Sequence, residues 1–342
     1  MRKRVSIKDV AREAGVSVTT ASYVLNRKPG TRISDETARK VRAAAKRLKY
    51  VPNISARTMI SQKSQLIGVI IPQTGPSHRL MFDNPFYGEF LSAVEYELRE
   101  QGYHLLLSGT GPYQDYSCIA QMRSLDGIII MGTYPSNFLE EIKQLGIPVV
   151  LVDSYIEDQY FHRVNINDRY GGYLAAKYLI DKGHRRIAFV AEKLREQGVL
   201  HERFLGYRDA LAEAGITFAE QWVYEADVSY QGGFEAAEEI VRRGNGETAA
   251  FAAADIIAVG LINGLKAQHV AVPEELSVIG FDDVPLAVMS FPELTTVHQD
   301  VWEKGRQAAR IVIEAGEGGK KRDVTLPLKI VERESVQDIK QA

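Results

Sequence analysis

Residues 7–26 read Ile7-Lys-Asp-Val-Ala-Arg-Glu-Ala-Gly-Val-Ser-Val-Thr-Thr-Ala-Ser-Tyr-Val-Leu-Asn26, two short amphipathic segments joined by one glycine. Ser6 and Asp9 have the spacing of a helix capping box, so the pattern predicts that a helix begins directly after Ser6. Gly15 can end this helix in a left-handed turn, and Ser17 can cap a second helix. The segment therefore predicts a helix-turn-helix.

Apolar residues at helical spacing give each predicted helix one face that can be buried. In the first two helices these residues are Ile7, Val10, Ala11, Ala14, Val16, Ala21, Val24 and Leu25. A third helix is predicted after the cap Ser34, with Val41, Ala44, Ala45 and Leu48 on its apolar side. Three such helices can form a small core.

The second helix presents side chains that suit base reading. Its outward positions are Val18, Thr19, Ser22, Tyr23 and Asn26. A helix-turn-helix places its second helix in the major groove, where small, methyl-bearing and hydrogen-bonding side chains can meet base edges. An ordinary helical hairpin with a solvated face is the alternative.

The charge distribution argues against that alternative. Residues 1–61 carry 15 Lys and Arg against 4 Asp and Glu, a net +11, although the chain of 342 residues has a formal charge of −2. The remainder therefore carries −13. Basic residues position a protein on DNA phosphates, so the sequence predicts nucleic-acid binding by the N-terminal segment alone.

Several classes of function lack their sequence signals. No apolar stretch approaches the roughly 20 residues of a membrane span, and the basic N-terminus runs into the first helix without a signal-peptide core. One cysteine, Cys118, indicates a reducing compartment, so we expect a cytoplasmic protein without membrane contact. The seven histidines lack metal-ligand spacing, and no nucleotide motif or nucleophile elbow is present, so no metal, cofactor or enzymatic activity is predicted.

From Leu66 onward, short apolar runs alternate with longer amphipathic segments, which predicts parallel sheets covered by helices on both faces. The series restarts near residues 164–172, so we expect two similar α/β halves with a ligand cleft between them. Ligands bind such sheets at the carboxyl ends of strands, where the chain places Asp153, Asp282 and Asp283.

These patterns divide the chain into three parts. Residues 1–50 form the predicted helix-turn-helix head, and residues 51–64 form a linker in which 52–60 can become one marginal helix. Residues 65–342 form the body. We expect its N-subdomain to comprise about 65–161 plus 295–322, and its C-subdomain about 162–294 plus 323–342.

This order of parts resembles the LacI-type family of bacterial transcription regulators from about Ser6 to Arg333. The residues that carry the resemblance are Ile7 to Ser17, Val24-Leu-Asn26, Tyr50-Val-Pro-Asn53, Ala56-Arg57, Gly127-Ile-Ile129, Gly183-His184, Arg203, Gly206-Tyr207, Ile279-Gly-Phe-Asp-Asp283 and Leu294-Thr-Thr296. The resemblance implies a periplasmic-binding-protein-like body of type I, a homodimer, and a hinge helix at 52–60 that enters the minor groove of operator DNA.

The resemblance also implies roles for individual residues. Val18, Thr19 and Tyr23 fall on base-reading positions. The further DNA-binding positions are Ser17, Thr20, Ser22, Asn26, Tyr50, Asn53, Ala56, Arg57 and the apolar wedge Met59. The effector-binding positions that it implies are Phe86, Tyr87, Arg203 and Asp282, and we add to them Asp153, which follows a predicted strand, and Asp255.

Some positions depart from the usual family pattern. Tyr23 replaces the usual arginine or histidine of the reading helix, Met59 replaces the usual wedge leucine, and Ala254-Asp255 replaces an Asn-Asp pair. The loop before Phe86 is long, and the segment between Gly109 and Asp126 is short. These changes leave the operator and the effector open.

We therefore interpret the chain as a repressor that binds double-stranded operator DNA and a small-molecule effector, most simply a sugar or sugar derivative. A nucleobase or another non-sugar metabolite is the alternative effector. Two other classes remain open at this point: a transport-type binding protein, which leaves the basic head unexplained, and a sugar-converting enzyme, for which no acid and base pair is evident.

Overall fold

The computed structural model describes residues 5–25, 32–50, 63–72, 81–110, 124–132, 136–194 and 196–340. The chain folds as two compact units, Met1–Ser64 and Gln65–Ala342. Several residues with predicted roles lie outside the described residues: Asn26, Asn53, Ala56, Arg57, Met59 and Cys118. The predicted hinge at 52–60 lies outside them as well.

The head contains three described helices: α1 (Ile7–Ala14), α2 (Val18–Leu25) and α3 (Asp35–Arg47). The capping box predicted before α1 is present, because the backbone N–H and the hydroxyl of Ser6 both donate to Asp9 Oδ2, at 2.9 and 2.7 Å. Gly15 ends α1 with φ of 65°, a conformation that glycine adopts without strain. The first two helices are therefore fixed by local chemistry.

Residues from all three helices form the core of the head. Its buried members are Val10, Ala11, Ala21, Val24, Val41, Ala44 and Ala45. The remaining predicted apolar positions pack against them, which confirms the predicted faces.

The first half of the body is a parallel sheet with the strand order β2-β1-β3-β4-β5-β11. Its elements are β1 (Leu66–Pro72), α4 (Pro85–Glu100), β2 (His104–Thr110), β3 (Gly127–Met131), α5 (Ser136–Gln144), β4 (Val149–Val152) and β5 (His162–Ile166). Helix α4 covers one face of the sheet and α5 covers the other.

The second half repeats this plan with the strand order β7-β6-β8-β9-β10-β12. Its elements are α6 (Asp168–Asp181), β6 (Ile187–Ala191), α7 (Val199–Glu213), β7 (Val223–Glu225), α8 (Tyr230–Arg243), β8 (Ala249–Ala252), α9 (Asp255–Ala267), β9 (Ser277–Asp282), α10 (Leu286–Met289) and β10 (Thr295–Gln299). Three final elements follow: α11 (Val301–Gly316), β11 (Asp323–Leu326) and β12 (Leu328–Val331). Only the β10–β12 pairing among the described strands is antiparallel.

The two halves exchange elements across three crossovers, and this differs from the predicted subdomain boundaries. Residues 162–166 and 323–326 belong to the first sheet rather than to the C-subdomain, while 295–299 belongs to the second sheet rather than to the N-subdomain. These strands are short and partly polar, so they lack the continuous apolar runs that marked the other strands. Strand pairing, not local pattern, decides where each of them lies.

Helix α11 packs against α4 on the first sheet, although it follows a strand of the second. On the second sheet, α6 and α7 cover one face and α8 and α9 cover the other. Among the described helices, none has the length and apolar character needed to span a bilayer.

Candidate functional site

The first turn of α2 carries two of the three predicted base-reading residues, Val18 and Thr19. Ser17 caps this helix, because its Oγ accepts a hydrogen bond from the Thr20 backbone N–H at 3.0 Å and lies 2.9 Å from the Thr20 hydroxyl. Val18 and Thr19 are exposed beside the cap, and the Val18 side chain is 42% exposed. An apolar side chain that is exposed to this extent at the start of a helix can contact a thymine methyl group in a major groove.

The other residues of the head that are predicted to contact DNA and that the structure describes are less exposed. Ser22 and Tyr23 are partly buried, and so is Thr20. Tyr50 follows α3, where its backbone N–H donates to Ala45 O at 2.9 Å and its side chain packs against the head core. Tyr50 thus has a structural role in this head.

In the body, two strands end in buried aspartates that turn the chain sharply. Asp153 follows β4 of the first sheet with φ of 53°, and Asp282 ends β9 of the second sheet with φ of 120°. A positive φ is uncommon outside glycine and tends to mark functional positions. The side chains of both aspartates are nearly inaccessible to solvent.

Arg203 on α7 is buried beside the second of these aspartates. Its Nε donates to Asp168 Oδ1 at 2.8 Å, its Nη1 donates to Ala253 O at 2.7 Å, and Nη1 lies 3.7 Å from Asp282 Oδ1. The guanidinium carbon lies 3.5 Å from the centre of the Phe281 ring, so the ring covers one face of the cation. The arginine is therefore held in one orientation.

Lys304 on α11 connects the two strand ends. Its Nζ donates to Asp153 Oδ1 at 2.6 Å and to Gln299 Oε1 at 2.5 Å. The Gln299 amide in turn donates to Asp282 Oδ1 at 2.6 Å. We call Asp153, Asp168, Arg203, Asp282, Gln299 and Lys304 the inter-sheet cluster.

Burial changes the acidity of the cluster. It raises the pKa of Asp282 to about 6, although Arg203 and the Gln299 amide act in the opposite direction. Burial also raises the pKa of Asp168 against the opposing charge of Arg203. Charged carboxylates are thus held here only because cations and hydrogen-bond donors accompany them.

The predicted aromatic residues start α4 next to the cluster. Phe86 is buried in the core of the first half, and its ring lies 5.6 Å from both the Tyr87 ring and Lys304 Nζ. Burial, followed by the charges of Asp153 and Asp282, raises the pKa of the Tyr87 hydroxyl to about 12. Tyr87 therefore stays a neutral hydroxyl beside the two aspartates.

Asp255 is placed differently from the other predicted effector residues. It is fully buried, and its two carboxylate oxygens accept hydrogen bonds from the Thr296 hydroxyl at 2.6 Å and the Val284 N–H at 3.0 Å. Both oxygens thus serve to join α9 to the segments after β9 and in β10. Asp283 is likewise held by His298 and Arg333.

Four members of this neighbourhood escaped sequence reasoning: Tyr155, Asp168, Gln299 and Lys304. Asp168 opens α6 and accepts a hydrogen bond from the Tyr155 hydroxyl at 2.6 Å. One signal was available, because Lys304 interrupts the apolar stripe Val301, Ala308 and Val312 at helical spacing. A lysine there must find a buried partner. In the described part of the chain, no group of His, Cys, Asp or Glu side chains is arranged to hold a metal ion.

A helix-turn-helix head and a two-sheet body with a polar cluster at its strand ends define a ligand-responsive DNA-binding regulator. Residues 6–53 match the family of bacterial regulatory proteins, lacI family, and residues 176–336 match a periplasmic binding protein-like domain. The chain is 34% identical to the HTH-type transcriptional repressor PurR of Vibrio cholerae serotype O1, over 98% of each chain.

Solved structures give the same result. The lac repressor dimer bound to operator and the anti-inducer ONPF is similar with a TM-score of 0.84 and 25% identity, over 98% of this chain and 100% of that one. The complex of the transcriptional regulator CelR with cellobiose is similar with a TM-score of 0.72 and 28% identity, over 97% of this chain and 100% of that one. The chain belongs to the LacI family. It is a ligand-responsive transcriptional repressor and not an enzyme.

Proposed function

We propose that this repressor acts in the cytoplasm as a homodimer, reads operator bases with the start of α2, and responds to an uncharged sugar or sugar derivative. One observation carries the effector proposal. Asp153 and Asp282 each use one carboxylate oxygen, Oδ1, within the inter-sheet cluster, and Oδ2 has no hydrogen-bond partner among the described residues.

Unused oxygens on buried carboxylates favour a ligand rich in hydrogen-bond donors. A buried carboxylate is destabilised unless donors satisfy it, and sugar hydroxyls are neutral donors that can approach both aspartates. Tyr87 adds an aromatic ring and a neutral hydroxyl beside them. Aromatic rings and a few convergent polar groups are typical of sites for polar small molecules.

Arg203 supplies the complementary donor. The described residues occupy its Nε and Nη1, while Nη2 has no hydrogen-bond partner among them. Its N–H groups can donate to a hydroxyl or ring oxygen of a sugar, which accepts without carrying charge. The complex of CelR with cellobiose, a protein of the same fold, supports a sugar ligand by analogy.

A thermal-shift screen of the full chain against sugars, polyols and nucleobases tests the effector proposal. We expect at least one sugar to raise the melting temperature in a saturable way, and Asp282→Asn to weaken that response. Saturable stabilisation by a nucleobase, with no response to any sugar, would contradict the sugar assignment. Repeating the titration with operator DNA shows whether the ligand strengthens or weakens DNA binding.

The exposed start of α2 supports Val18 and Thr19 as base readers, and Tyr23, which is partly buried farther along the same helix, is the third proposed reader. We expect Tyr23→Ala to change the preferred operator in a selection from randomised DNA sites, since a base-contacting side chain typically discriminates by about 1–3 kcal/mol. Arg12→Ala serves as the control, because Arg12 lies on the exposed side of α1 and an exposed arginine contributes to phosphate attraction without selecting bases. An unchanged preference in Tyr23→Ala would show that another face reads the operator.

The hinge at 52–60 remains a prediction. An apolar wedge in the minor groove bends DNA and therefore matters for the specific complex. We expect Met59→Ala, and likewise Arg57→Ala, to weaken operator binding more than binding to unrelated DNA, as measured by competition at constant salt. An equal loss of affinity for the operator and for unrelated DNA would show that this segment only connects the head to the body.

Dimerisation is supported by an exposed apolar surface on the second half of the body. Between β9 and β10, the side chains of Met289 and Phe291 are 74% and 82% exposed, and Val288 is half exposed. Such grouped apolar side chains usually mark an interface. We expect the double substitution Met289→Asp and Phe291→Asp to convert a dimer into a monomer in analytical ultracentrifugation, whereas Tyr230→Asp, at another exposed aromatic residue, should not.

A further inference from the structure

The charge balance around Arg203 is unusual for a residue expected to hold a ligand. Its guanidinium already faces two carboxylates, Asp168 at 2.8 Å and Asp282 at 3.7 Å, and a carbonyl oxygen of Ala253. Phe281 covers one face. The positive charge of Arg203 is therefore neutralised within the protein.

The second cation of the inter-sheet cluster is neutralised in the same way. Lys304 is completely buried and contacts Asp153 and the Gln299 side-chain oxygen. Among the described cluster residues, three buried aspartates thus face two buried cations. The cluster has one negative charge in excess.

We propose that Asp168 is a specificity-determining residue that keeps anionic ligands, such as phosphorylated or carboxylated sugars, out of the effector site. The inference rests on the proposed effector site and adds the charge class of its ligand. An anion placed beside Arg203 would meet Asp168 and Asp282 in a buried environment, where repulsion between like charges is strong. Specificity of this kind comes from a repulsive element built against the wrong ligand.

Asp168, rather than Asp282, determines this selection because it holds the Nε edge of Arg203 directly. It opens α6 and is fixed from the other side by the Tyr155 hydroxyl, which donates to Oδ2 at 2.6 Å. Asp282 lies farther from the guanidinium and is held by Gln299. Asp168→Asn keeps the shape of the side chain, but it removes the excess negative charge of the cluster and takes the carboxylate away from the Nε edge of Arg203, where an external anion can then bind.

Inorganic phosphate is the probe, titrated calorimetrically into the full chain at constant ionic strength. We expect Asp168→Asn to gain a saturable phosphate site at least about tenfold tighter than any in the wild type, a ratio worth about 1.4 kcal/mol. The gain should disappear in Asp168→Asn/Arg203→Met, which restores the original charge balance. Because the basic head is the same in all variants, its own phosphate binding cancels.

Tyr155→Phe is the matched control, because it removes the other hydrogen bond to Asp168 and keeps the carboxylate; it should gain no phosphate site. The proposal is overturned if Asp168→Asn gains nothing, or if the wild type already binds phosphate as tightly. If Asp168→Asn does not fold, Asp168→Ser is measured instead. The sugar screen is a separate readout, so a phosphate gain without any sugar response would contradict the sugar effector but not the charge filter.

Discussion

Lys304 Nζ lies 2.6 Å from Asp153 Oδ1, and the lysine side chain is completely buried. This ion pair links α11 to the end of β4, and Gln299 extends it to Asp282 at the end of β9. These side-chain hydrogen bonds therefore connect the end of a strand in the first sheet to the end of a strand in the second, next to the crossover from β10 to α11. We expect a change at either aspartate, such as ligand binding, to affect the other half of the body through these side chains.

Removing the buried cation should destabilise the body. We expect Lys304→Met to lower the free energy of unfolding by about 3–5 kcal/mol, because Asp153 would be left as an uncompensated buried charge. Urea unfolding measures this loss. Lys266→Met, at an exposed lysine of α9, should change stability by less than about 0.5 kcal/mol. Adding Asp153→Asn to Lys304→Met should recover part of the lost stability. If Lys304→Met alone lost no more stability than Lys266→Met, the pair would not be buried in solution.

The stability of the body should depend on pH through Asp282. Its pKa is raised to about 6 by burial, above the ordinary value near 4, so the folded state takes up a proton between these values. The resulting stabilisation is fully present below about pH 4 and is lost as the pH rises to about 6. The difference between pKa values of about 4 in the unfolded chain and about 6 in the folded protein corresponds to about 3 kcal/mol of unfolding free energy. We expect Asp282→Asn to flatten the change in unfolding free energy between about pH 4.5 and 6.5, measured by urea titrations, and an equal slope in both proteins would rule out this assignment.

The close contact of α6 and α7 should not tolerate a side chain at Gly172. A Cβ there would lie 2.0 Å from the carbonyl oxygen of Arg203, so the two helices would have to separate. We expect Gly172→Ala to destabilise the body by about 1–3 kcal/mol and to weaken the effector response, since it displaces the backbone of Arg203. Gly88→Ala on α4 is the control: among the described residues, no atom beyond the adjoining backbone of its own helix lies within 4 Å of the added Cβ, so the change should be neutral or stabilising by up to about 1 kcal/mol. Thermal unfolding of both variants measures this difference in stability, and equal melting temperatures would contradict the prediction.

The turn between α1 and α2 should depend on the backbone of Gly15. Its φ is 65°, and an added Cβ would have no neighbour within 4 Å among the described residues other than those adjoining it in the chain, so we expect any effect of substitution to arise from the backbone. We expect Gly15→Ala to destabilise the head by about 1 kcal/mol and to increase the amide exchange rates of α1 and α2 about fivefold. Gly15→Asn should have a smaller effect, because asparagine tolerates the left-handed region better. Hydrogen exchange mass spectrometry of the head peptides distinguishes the two variants.

Local patterns predicted most elements of the fold. The capping box at Ser6, the glycine turn at Gly15 and the apolar faces of the three head helices all depend on residues three or four positions apart. The buried strands of both sheets were visible as continuous apolar runs. In contrast, β5, β10 and β11 alternate or contain polar residues, and the predicted subdomain boundaries assigned each of them to the wrong half, whereas β12 lies in the half that was predicted.

The amino-acid sequence by itself determined the helix-turn-helix, the alternation of strands and helices, and the aspartates at strand ends, because each depends on nearby residues. Only the tertiary structure decided which charges meet. Arg203 pairs with Asp168, 35 residues away, and Lys304 pairs with Asp153, 151 residues away. Lys304 meets Asp153 because the chain crosses from β10 back to the first sheet at α11, and Arg203 meets Asp168 because α6 and α7 pack against each other. Each cation is buried, so its charge requires a carboxylate nearby. No local spacing encodes that requirement.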